Sequence, residues 1–97
     1  MSVREKYQAK LKTNLDALEA EIKKLTAKAN KAKADAKVKL DMELGVLKAQ
    51  QQVAKTRLTA LRRASDEAWG DIKIGADAAW KDLSKAFTAA RKRFAKS

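Results

Sequence analysis

The sequence predicts an all-α protein: a long coiled-coil helix followed by a C-terminal amphipathic helix, assembled as an antiparallel hairpin or bundle by self-association. Three observations carry this reading. Proline is absent and glycine occurs three times in 97 residues, while the abundant residues are strong helix formers. Apolar residues recur at alternating steps of three and four along most of the chain. Near the C-terminus a short motif repeats at an offset of eleven residues, almost three helical turns.

The first element starts at a capping box. Ser2 is placed to accept from the Glu5 amide while Glu5 reaches back to the Ser2 amide, so the helix begins at Val3. From Leu11 the seam runs through Leu15, Leu18, Ile22, Leu25, Ala29, Ala32 and Ala36. It resumes at Leu44 and continues through Leu47, Gln51, Ala54, Leu58 and Leu61 to Ser65, Ala68 and Ile72. Between the two runs, Ala36, Leu40 and Leu44 follow at steps of four and four, which relaxes the supercoil there. The reading is one helix over about residues 3–63.

A boundary follows at 64–66. Arg62 and Arg63 complement a helix C-terminus, Ser65 is an N-cap candidate, and Asp66 and Glu67 suit the first turn of a new helix. A continuous helix is the competing reading, because the seam holds its phase through Ser65. The last element, about residues 66–95, carries the eleven-residue repeat, with Trp69 and Trp80 on one face together with Ile72, Leu83, Phe87 and Phe94. No linker divides the chain, so residues 1–97 form a single helical domain.

Composition bounds the chemistry. Without cysteine or histidine there is no disulfide framework, no thiol–imidazole zinc site and no Ser-His-Asp or Cys-His catalysis. No paired carboxylates, phosphate loop or metal-ligand spacing stand out, so the chain reads as a non-enzyme with no cofactor, no metal and no small-molecule substrate. No signal peptide and no apolar run of about 20 residues are present, which points to a cytoplasmic, at most membrane-peripheral, location. Lys and Arg total 23 against 12 acids, a net charge of +11 concentrated in residues 31–65. Such a balance favours polyanionic partners.

Three sets of residues are candidates for function. Leu11, Leu15, Leu18, Ile22, Leu25, Leu44, Leu47, Leu58 and Leu61 form the self-association seam. Along it, Ala29, Ala32 and Ala36 permit close helix approach and Gln51 sets register. Trp69, Ile72, Trp80, Leu83, Phe87 and Phe94 form a stripe that serves either as bundle core or as a face lying on an anionic membrane surface. Lys24, Lys28, Lys31, Lys37, Arg62, Arg63, Arg91, Lys92 and Arg93 are candidate contacts to a polyanion, without sequence preference in the case of nucleic acid.

The opening run from Arg4 to Lys12, the run from Lys28 to Lys37, and the ending built on Ala64 to Trp69, Asp77 to Trp80 and Arg93-Phe94 resemble a group of small bacterial coiled-coil proteins, stress-responsive and apolipoprotein-like. The likeness spans nearly the whole chain, and the aromatic eleven-residue ending is its most distinctive part. It implies an all-helical protein without catalytic residues and a setting in stress response; the net charge of +11 departs from the more acidic balance of that group. The function expected from all of this is structural: a homo-oligomer held by its heptad seams. Binding of anionic membranes by the C-terminal helix is the first alternative, and sequence-independent nucleic-acid binding by the basic helix the second.

Overall fold

The computed structural model describes residues 2–96. It consists of three helices, α1 (Val3–Asn30), α2 (Ala34–Arg63) and α3 (Asp66–Lys96), with no strand among the described residues. They run up, down and up in a bundle of 51 × 20 × 17 Å, with α2 packed against both neighbours.

The single helix expected over 3–63 is therefore two helices, separated at Lys31, Ala32 and Lys33. The chain tightens as α1 ends, with the Lys31 amide donating to the Lys28 carbonyl at 3.2 Å and the Ala32 amide to the Ala29 carbonyl at 3.1 Å. Lys33 then turns extended as the N-cap of α2. No described residue, glycine included, takes a positive φ, so the reversal uses ordinary backbone conformations and requires neither Gly nor Pro. Burial drives it: a straight rod of about 60 residues would leave its whole apolar seam in water, whereas folding back covers it.

The second boundary lies at Ala64 and Ser65, where Ser65 caps α3 by accepting from the Ala68 amide on both its hydroxyl (3.3 Å) and its carbonyl (3.1 Å). At the start of α1, Ser2 accepts from the Glu5 amide at 3.1 Å. The return contact differs from the expected box, because the Ser2 hydroxyl donates to the Glu5 carboxylate at 3.3 Å.

The two seams meet each other. Leu11, Leu15, Leu18 and Ile22 of α1 and Leu44, Leu47, Leu58 and Leu61 of α2 are buried in one core, joined from α3 by Ala76, Ala79, Leu83, Ala90 and Phe94, with Leu25 half-buried at its edge. The residues expected to pair with another copy are thus consumed within the chain. Ala29 is fully buried where the helices converge. Gln51 is the one buried polar side chain among the described residues, and its Nε2 has no hydrogen-bond partner.

Candidate functional site: the cationic end of the bundle

The antiparallel path brings the end of α1, the start of α2 and the end of α3 to one pole. Lys28 Nζ donates to the Phe94 carbonyl at 2.8 Å, and Arg93 Nε pairs with Glu43 at 2.9 Å, which fixes α3 against both other helices there. Residues 21–43 and 88–96 hold eleven Lys and Arg against four Asp and Glu, so this pole carries +7 of the chain's +11.

Two shallow depressions indent it. One, of about 360 Å³, is lined by Asp35, Ala36, Lys39, Leu40, Arg93 and Lys96. Its neighbour, of about 400 Å³, shares Ala36 and Leu40 and adds Ala32, Lys28, Lys31 and Lys33. The floor is apolar and the rim holds six cations to one acid. Two helix C-termini and one N-terminus meet here, and their dipoles leave about half a negative charge, small beside +7.

Lys33 is the least expected member of this rim. It occupies the N-cap of α2, where an acceptor side chain is favoured and a cation faces the positive end of the helix dipole, and it makes no capping hydrogen bond. Lys33 thus leaves the first turn of α2 without a side-chain cap and its ammonium exposed at the rim.

In comparisons with known protein families, curated proteins and solved structures, nothing matches this chain.

The sequence-derived cations divide between the poles. Lys28, Lys31, Lys37, Arg91, Lys92 and Arg93 lie at this end with Lys24 just behind, but Arg62 and Arg63 sit at the far end of α2. Lys33 and Lys39 belong to the same basic run of the sequence as Lys31 and Lys37, whereas Lys96 joins the rim only through the fold, since no spacing in the sequence connects it with the α1–α2 turn. The aromatic stripe faces the bundle: Leu83 and Phe94 are buried, and Trp69, Ile72, Trp80 and Phe87 are half-buried against the core. No described helix is long and apolar enough to cross a membrane.

The opposite pole is bound by a polar cluster. The Arg4 guanidinium donates to the Leu61 carbonyl at 3.0 Å and the Ala64 carbonyl at 2.6 Å, pairs with Asp66 at 3.1 Å, and lies 5.9 Å from the centre of the Trp69 ring. One side chain of α1 thereby caps the end of α2 and holds the start of α3. Tyr7 packs edge-on against Trp69, with ring centres 5.7 Å apart, and its hydroxyl donates to Asp77. Burial, followed by the hydrogen bond and the charge of Asp77, holds the Tyr7 hydroxyl well above its ordinary pKa. The Tyr7 hydrogen bond, aided by Lys73 at 3.0 Å and by Lys81, outweighs partial burial and lowers Asp77 below the usual carboxylate range. Every charge in this cluster is spoken for, which suits a fastening; the cationic rim has an excess with no internal counterion.

Proposed function

We propose that the protein is a non-enzymatic polyanion-binding bundle that seats the phosphate backbone of duplex nucleic acid, without sequence preference, on the pole formed by the α1–α2 turn and the end of α3. The observation that carries this is the rim of six cations over an apolar floor, with Lys33 held at a helix N-cap. Phosphate contacts of this kind give affinity without reading bases. No aromatic side chain lines the two depressions, so base stacking with a single strand has no platform there.

The test is binding to a random-sequence duplex across a salt series around 0.15 M. Four phosphate contacts from Lys31, Lys33, Lys39 and Lys96, the rim cations not engaged among the described residues, give a slope of log K against log salt of about −4, and replacing Lys31, Lys33 and Lys39 by Gln reduces it to about −1. The Arg62→Gln, Arg63→Gln variant at the far pole is expected to keep the parent slope. If both variants lose the same, the charge acts as a diffuse cloud and the pole is not the site. Binding to anionic vesicles with none to duplex transfers the role to a lipid surface.

A further inference from the structure

Helix α2 carries a second apolar row, facing away from the core. Of the six large hydrophobic side chains that stand exposed, four belong to it: Val38, Met42, Val46 and Val53. With Ala49 they follow at steps of 4, 4, 3 and 4, on the side of the helix opposite Leu40, Leu44, Leu47 and Leu58. From Val38 to Ala60 this outward face bears no charge, although the chain as a whole carries +11.

Gly45 lies in the same face. A glycine inside a helix costs about 1 kcal/mol relative to alanine, and a Cβ at this position would meet nothing within 4 Å in the bundle. The bundle itself does not require the missing side chain here, any more than it does at Gly70 of α3; what sets Gly45 apart is its place beside the apolar row. Gly45 and Ala49, four residues apart, make a flat strip on which another helix backbone can lie close.

We propose that this face binds a second copy of the chain, α2 packing antiparallel on α2 across a two-fold axis between Gly45 and Val46. The pattern is self-complementary about that point. Residues whose numbers sum to 91 face each other, which sets Val38 on Val53, Met42 on Ala49 and Gly45 on Val46 of the copy. On the two flanks, Asp35 falls beside Arg57 and Asp41 beside Lys48, within two residues of ideal register, and symmetry makes each acid–base pair twice. All four side chains are exposed in the single chain; Asp41 there pairs with Lys37 at 2.6 Å and Arg57 reaches toward Gly75 of α3, so in the dimer Lys48 shares Asp41 with Lys37 and Arg57 turns to the copy's Asp35.

Charge also chooses the orientation. A parallel pair would set two +7 poles side by side, whereas the antiparallel pair sends them to opposite ends. A lipid surface fits the row less well, because valine, alanine and glycine offer little depth and no aromatic residue lies on it.

Sedimentation at tens of micromolar protein without any polyanion tests the proposal. The expected mass is twice 10.7 kDa, with association strengthening as salt screens the like charges of the two copies, the opposite of duplex binding. Val46→Glu is expected to give a monomer with unchanged helical circular dichroism. Orientation is read by oxidation of single-cysteine variants. Val46→Cys is expected to cross-link to its own copy, while Val38→Cys is expected not to, since the antiparallel register separates the two positions by about 22 Å along the helices at 1.5 Å per residue. A wild-type monomer at these concentrations overturns the proposal, as does a Val46→Glu dimer, and equal cross-linking of both cysteine variants overturns the antiparallel geometry. Duplex binding is measured separately, so either reading can fail without the other.

Discussion

Tyr7 and Asp77 are hydrogen-bonded to each other and shift in opposite directions, so each contributes to the response of the fold at one extreme of pH. The folded state raises the pKa of Tyr7 above its ordinary 10.0, so the stability this contributes is complete below about pH 10 and is lost as pH rises beyond it. Asp77 is lowered below its ordinary 3.8, so its share is present above that value and is lost as pH falls through it. Tyr7→Phe removes the hydrogen bond and is expected to cost about 1 kcal/mol near neutral pH. Because the variant has no hydroxyl to ionise, the gap between the two proteins should shrink above pH 10. Thermal melts from pH 7 to 11 check this, and a constant gap would show that the hydroxyl is not held protonated by the fold. Gln51 behaves differently: its unpartnered Nε2 is a cost that no titration relieves.

The ends of the helices were unequally legible. The α2–α3 boundary was written locally, in two arginines, an N-cap serine and two acids, and each of those signals acts through backbone groups within one turn. The α1–α2 break left no comparable mark, because Lys31, Ala32 and Lys33 adopt common backbone angles and what ends the helix there is the burial gained when distant leucines meet. For the same reason the seam residues were identifiable, but not what covers them: a heptad marks the face that is buried and says nothing of which helix lies on it. The rim was half legible, its α1–α2 lysines being close in sequence and its α3 members not. Lys33 allows function and stability to be separated at the scale of one helix. Lys33→Asp supplies the missing cap and reverses an unfavourable charge, so α2 should gain about 1 kcal/mol while duplex affinity falls. Denaturant unfolding and binding of this one variant check both directions, and a loss of stability would contradict the capping geometry.

At the scale of the molecule, charge and apolar surface are divided among regions. One pole holds most of the excess cations, the other is fastened by Arg4 and Tyr7, and the waist presents the uncharged row of α2. The three helices are joined by connections of three and two residues, so most packing joins neighbours in the chain, while the α1–α3 ties made by Arg4, Tyr7 and Lys28 span more than sixty positions. Helical bundles with such local packing fold in microseconds to milliseconds, and without proline no step waits on isomerisation. Stopped-flow refolding should accordingly show a single fast phase. A phase lasting tens of seconds would mean that something other than helix docking limits folding.

The central position of α2 has a consequence during synthesis. At about 5–20 residues per second the 31 residues of α3 take about 2–6 s to be made, long compared with the microseconds to milliseconds in which helices dock. Any hairpin of α1 and α2 that forms before α3 docks has the side that Leu83 and Phe94 cover open to water. A chain in that state is the form of this protein most exposed to chaperones and to aggregation, and the docking of Leu83 and Phe94 ends it.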